Sequence, residues 1–183
     1  KASSVYPMGI KGDGVVVAVI DTGIRDTHIE FPKEKILYQY NFIDGNEDAT
    51  DTDGHGTHVA GTIAGSYATT LLWNSEWGAD ITATSSNTTG IAPNANLIIL
   101  KAVPGDLSVF LDTCDWIIAN KNTYNIRIVN MSAGWNKESI IALGWPLDGT
   151  DPASNAAGSV VDAGIVWVNS AGNSGPDMDT IGP

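Results

Sequence analysis

The sequence is poor in cysteine and in basic residues, and it has no long hydrophobic run. Cys114 is the only cysteine among the 183 residues, so no disulfide can form within the chain and cysteine usage indicates no redox compartment. Lysine and arginine total 9 against 21 aspartates and glutamates, giving a formal net charge of -12. That charge disfavours nucleic acid and anionic membrane surfaces as partners. No apolar run approaches the roughly 18 to 20 residues that a membrane-spanning helix needs.

The sequence does contain an alternation of strand and helix patterns. Hydrophobic residues make up 43% of it, which is enough for one domain over residues 1–183. A continuous apolar, β-branched run predicts a buried strand at 15–20, and segments rich in β-branched or aromatic residues predict further strands at 36–42, 96–102, 126–131 and 164–170. Helical spacing predicts helices at 56–64 and 107–121, and a third from an Asp151 N-cap to Gly164. This order predicts an α/β fold with a doubly wound, mostly parallel sheet and helices on both faces.

Two further features of the sequence indicate structural roles and no catalytic or binding role. Cys114 falls on the apolar stripe of the second predicted helix, which indicates a small buried side chain rather than a reactive thiol. Residues 66–89 are rich in serine, threonine and asparagine, and we predict a long surface insertion there.

Polar residues follow the predicted strands at the edge where ligands bind in such sheets. Asp21 comes directly after the first strand, where a buried carboxylate can orient an imidazole, although an isolated Asp-Thr-Gly can equally form a turn. His55 begins a helix of small residues in the segment DGHGTHVAGT (53–62). Asn173, in AGNSG (171–175), can direct its amide into a cleft or serve a glycine-rich turn.

Asp21 and His55 could also belong to two other kinds of site, an aspartic peptidase site and a zinc site. His55 and His58 are three residues apart, as in some zinc sites, but the glutamate of an H-E-x-x-H motif and a third ligand are missing. An aspartic peptidase would need a second Asp-Thr-Gly besides that of Asp21, and the α/β pattern does not suit its all-β fold.

The segments together resemble the subtilisin-like serine peptidases, or subtilases. The matching stretches are VIDTG (19–23), HGTHVAGT (55–62), GIAPNA (90–95), VNMSAG (129–134) and AGNSG (171–175). The resemblance covers nearly the whole chain, with residues 66–89 as the main departure. It implies a subtilisin-like fold, secretion, and hydrolysis of extended polypeptides by a Ser-His-Asp triad that needs no cofactor.

The resemblance also implies roles for individual residues. His55 would be the general base, Asp21 would orient it, and Asn173 would donate a hydrogen bond to the oxyanion. The implied substrate-binding residues are Ser132, Ala133, Gly134, Ala171 and Gly172. The implied partners are the substrate, a pro-segment inhibitor and the C-terminal remainder of the same peptidase domain.

An acidic stretch at 44–53 precedes His55 and contains four aspartates and one glutamate. Oxygen ligands at this density suit Ca²⁺, which subtilases often bind, so Asp44, Asp48 and Asp51 are candidate ligands of a structural calcium ion. A solvated acidic loop is the alternative interpretation.

The family's nucleophile motif, Gly-Thr-Ser, does not occur in these 183 residues. Gly-Thr is found at 56–57, 61–62 and 149–150, and no serine follows any of them. We therefore expect a fold that is incomplete at its C-terminal end and a chain that is inactive alone. The alternative is a non-catalytic module that binds extended peptides without turnover.

Overall fold

The computed structural model describes residues 2–66, 69–72, 82–85, 89–135, 141–146 and 148–173. Short 3-10 segments occur at Ala2–Ser4, Tyr6–Met8 and Lys33–Lys35. The strands and helices, in chain order, are β1 (Val16–Asp21), β2 (Ile36–Asn41), α1 (His55–Ala64), β3 (Thr69–Leu72), β4 (Thr82–Ser85), β5 (Asn96–Lys101), α2 (Leu107–Asn120), β6 (Ile126–Met131), α3 (Pro152–Asp162) and β7 (Val166–Asn169). All predicted strands and helices are present, within two residues of their predicted bounds.

Five of the strands form one parallel sheet in the order β2-β5-β1-β6-β7. β1 lies at its centre, between β5 and β6, and all six of its residues are buried. This burial explains the continuous apolar run before Asp21, because a central strand packs against helices on both sides.

The helices lie on opposite faces of the sheet, with α1 over one hydrophobic cluster and α2 and α3 together over the other. Ala60 and Ala64 of α1 pack with Val17 and Val19 of β1. The other cluster joins alternate residues of β1 to α2 and α3; among its members are Ala18, Ile20, Phe110, Ile117 and Val160. The fold class predicted from the sequence, an α/β sheet with helices on both faces, is therefore confirmed.

The start of α3 follows the predicted capping signal. The Asp151 carboxylate accepts hydrogen bonds from the backbone N–H groups of Ala153 and Ser154, both at 2.9 Å. Pro152 occupies the first helical position, where no N–H is needed.

Cys114 is buried within α2, as its place on the apolar stripe predicts. Burial raises the pKa of its thiol to about 12, so the thiolate that a nucleophile requires is scarce near neutral pH.

The described parts of the predicted insertion contain a pair of antiparallel strands, which the sequence analysis did not predict. β3 and β4 pair from Thr69 opposite Ser85 to Leu72 opposite Thr82. The β-branched threonines of this segment suit a strand. Among the described helices, none has the length and apolar character needed to cross a membrane.

Candidate active site

Asp21 is the last residue of the central strand, and its side chain is directed toward α1. Side chains alternate along β1, so Asp21 lies on the same face as Val17 and Val19. It is 1% exposed, and its Oδ1 atom accepts the N–H of Thr22 at 2.7 Å. Its Oδ2 atom is buried without a hydrogen-bond partner among the described residues. An incompletely paired buried carboxylate favours a positive charge beside it.

His55 supplies the group that can carry this charge. It is the first residue of α1, after Gly54, whose positive φ of 102° turns the chain into the helix. The His55 Nδ1 atom lies 2.7 Å from Asp21 Oδ1. The His55 side chain is 48% exposed, so its ring contacts the buried carboxylate while remaining accessible to a substrate.

The local electrostatics favour the imidazolium form of His55. The hydrogen bond to Asp21 raises the pKa of His55 above its ordinary value of 6.5, while burial opposes the rise. The negative charges of Asp21, Asp53 and Asp51 raise it further. A base of this kind gains stabilisation as it takes a proton.

The contact between Asp21 and His55 depends on two glycines that let α1 approach the end of β1. A Cβ atom on Gly56 would lie 2.3 Å from the carbonyl oxygen of Gly23. A Cβ atom on Gly23 would lie 2.3 Å from the carbonyl oxygen of Ala49. Neither position has room for a side chain, which explains both glycines in the sequence.

The predicted substrate-binding residues lie at the same edge of the sheet. Ile20 is paired with Met131, so Ser132 follows β6 at the level where Asp21 ends β1. Ser132, Ala133 and Gly134 continue from there, and the Asn130 side-chain amide donates to Ser132 Oγ at 3.0 Å.

Ala171, Gly172 and Asn173 follow the end of β7 and are exposed. The structure therefore gathers them near the strand ends, but the only close side-chain contact among the three predicted catalytic residues within the described part of the chain is that of Asp21 with His55. Ser174 and Gly175 of the AGNSG segment lie outside the described residues.

A pocket of about 250 Å³ opens beside Ala133 and Gly134. Its walls include three large aromatic side chains that the sequence analysis did not single out, namely Phe110, Trp135 and Trp167. The ring centroid of Phe110 lies 5.4 Å from that of Trp135 and 6.0 Å from that of Trp167. Of the three, Trp135 could have been found from the sequence, because it directly follows Gly134, a predicted substrate-binding residue.

The candidate calcium ligands do not converge on one point. Asp44 accepts a hydrogen bond from the Asn41 amide, and Asp48 accepts one from the Thr50 N–H. Burial alone would raise the pKa of Asp51, but hydrogen bonds from neighbouring hydroxyl and N–H groups hold it far below its usual range. The described residues include no group of three or more acidic, histidine or cysteine side chains arranged to hold a metal ion. Calcium binding stays a prediction that this arrangement does not support.

Comparisons with known proteins agree with the resemblance seen in the motifs. The model of the family described as "Subtilase family" matches residues 12–182. "Alkaline serine exoprotease A" of Vibrio alginolyticus is 31% identical in an alignment of 182 positions that covers 97% of this chain and 27% of the relative. "Subtilisin DY" of Bacillus licheniformis is 32% identical in an alignment of 188 positions, gaps included, that covers 100% of this chain and 56% of the relative. The chain thus spans between about a quarter and just over half of these two relatives.

A solved structure gives the same result at the level of the fold. The protein described as "Crystal structure of a cold adapted subtilisin-like serine proteinase" superposes with a TM-score of 0.63 and 28% identity. The match covers 90% of this chain and 49% of that one.

Proposed function

The chain belongs to the subtilase family, and on that basis we propose that it forms the Asp-His part of a serine endopeptidase active site whose nucleophilic serine comes from outside these 183 residues. The observation that supports this most directly is the 2.7 Å contact between His55 Nδ1 and Asp21 Oδ1. With Nδ1 bound to a carboxylate, the lone pair of the imidazole resides on Nε2, where it can accept the proton of a nucleophile.

Each residue has a defined task in this proposal. His55 takes the proton from the serine and returns it to the leaving amine, while Asp21 holds the ring and stabilises its charged form. Asn173 donates its side-chain amide to the oxyanion that forms at the attacked carbonyl. An extended polypeptide pairs with the backbone at 132–134 on one side and at 171–172 on the other.

We propose that the C-terminal remainder of the same domain supplies the serine. No Gly-Thr-Ser sequence is present, and the chain matches only part of the length of its relatives. β7 is one of the two edge strands of the described sheet, and its Val166 and Val168 are 59% and 46% exposed. Covering this strand with further structure would bury apolar surface and pair its free edge.

Three other parts of the proposal rest on the family alone. These are the extracellular location, the pro-segment inhibitor and the structural calcium ion. The relatives do not agree on location, since one that is 33% identical is named "Major intracellular serine protease".

The proposal is tested by assaying the chain joined to its C-terminal remainder against a fluorogenic extended peptide. We expect turnover by the joined domain and none by the 183-residue chain. Because the base must be neutral and its pKa is raised, kcat/KM should fall on acidification with a midpoint above 6.5. Saturable peptide binding by the joined domain without turnover would support a binding module instead and refute the proposal.

A further inference from the structure

The carboxylate of Asp51 connects the two segments that carry Asp21 and His55. Its Oδ1 atom accepts hydrogen bonds from Thr22 Oγ at 2.9 Å, from Gly54 N at 2.8 Å and from Asp53 N at 3.1 Å. Its Oδ2 atom accepts the N–H of Thr57 at 2.9 Å and the Thr57 hydroxyl. Five donors on one side chain are enough to use both of its oxygens fully.

Thr22 links this carboxylate to the strand end. It directly follows Asp21, and its hydroxyl both donates to Asp51 and accepts the N–H of Gly56 at 2.8 Å. The residue after Asp21 is thereby tied to the residue after His55. This link joins the end of β1 to the first turn of α1.

Thr57 makes a second link of the same kind. Its hydroxyl donates to Asp51 and accepts the N–H of Arg25, four residues beyond Asp21, at 2.9 Å. The first turn of α1 is therefore held to the loop after β1 at two points, Gly56 and Thr57, directly after His55. Because the donors at Asp51 come from backbone and threonine groups with little freedom, the arrangement is rigid.

We propose that Asp51 is a positioning residue, which fixes the first turn of α1 so that His55 stays in contact with Asp21. This role rests on the proposed function in one respect, since it matters for catalysis only if His55 is the general base. The site requires a side chain whose two terminal atoms both accept hydrogen bonds, as the two carboxylate oxygens of Asp51 do. An asparagine would place its amide N–H₂ against donors in either orientation.

The test is an NMR titration of the histidine side chains in the full 183-residue chain. In Asp51→Asn, the His55 contact should loosen and its midpoint should fall toward 6.5. Removing a negative charge also lowers the midpoint, so Asp53→Asn is the matched control. The charge of Asp53 raises the pKa of His55 more than that of Asp51 does.

We expect a larger fall in Asp51→Asn than in Asp53→Asn, although Asp53 has the stronger direct charge effect. A shift in Asp51→Asn that is no larger than that in Asp53→Asn, in a folded chain, overturns the proposal. Thr57→Val provides a second test without any change of charge, and it covers the case in which Asp51→Asn fails to fold. It should also lower the midpoint, and an unchanged midpoint counts against the proposal.

The titration needs no peptidase activity, so the two proposals can fail separately. If the joined domain shows no turnover but Asp51→Asn still shifts His55 strongly, the positioning role stands and the peptidase does not. If the joined domain turns over and His55 is unaffected in Asp51→Asn and Thr57→Val, only the positioning role is lost.

Discussion

Replacing His55 by alanine in the joined peptidase domain is expected to lower kcat by about 10⁶, with little change in KM. The size of this loss is the one known for the triad histidine of subtilisin, a member of the same family. A large loss is expected because the His55 imidazole contacts the buried Asp21 carboxylate and is also exposed to a substrate. Without it, the serine has no base to take its proton.

The matched control is His58→Ala, three residues further along the same helix. His58 is exposed, and the histidine in contact with Asp21 is His55. Its replacement should leave kcat within a few-fold of the wild-type value. If His55→Ala kept most of the activity, or if both variants lost it equally, the assignment of His55 as general base would be wrong.

Replacing Gly56 by alanine is expected to destabilise the chain by about 3 kcal/mol or more and to separate His55 from Asp21. The added Cβ would meet the Gly23 carbonyl oxygen at 2.3 Å and the Gly23 nitrogen at 2.9 Å. Both atoms belong to the backbone of the turn after β1, so they cannot rotate away as a side chain would. α1 would have to move off the sheet and carry His55 with it.

Gly158→Ala in α3 is the control for this prediction. Gly158 is also helical, but a Cβ there meets nothing within 4 Å. Alanine should therefore stabilise that helix by up to about 1 kcal/mol. Chemical denaturation of the two variants measures the difference, and a Gly56→Ala chain as stable as wild type would show that the close approach is not required.

The sequence predicts the sheet well because its strands carry strong local signals. The predicted strand at 126–131 has the observed bounds of β6, because β-branched isoleucine and valine are concentrated there. The start of α3 is also predicted by a local signal, the adjacent capping residue Asp151 and Pro152. The β3–β4 pair was missed because threonine-rich segments suit both loops and strands.

The site could be predicted only in part. Asp21 and His55 stand in motifs that indicate their roles, and the structure brings them together across 34 residues of sequence. Nothing in the sequence distinguishes Asp51 from its acidic neighbours, so it was interpreted as a candidate calcium ligand. One of its five donors comes from Thr22 and the other four from residues 53–57, and only the folded arrangement reveals that all five meet its carboxylate.

The most direct measurement of the central claim is a denaturing mass spectrum after treatment with a fluorophosphonate, which reacts covalently with an activated serine. The joined domain should gain one adduct, located on a peptide that contains a Gly-Thr-Ser sequence. The 19.2 kDa chain alone should gain none. An adduct on a serine within these 183 residues, or no adduct on the joined domain, would contradict the account.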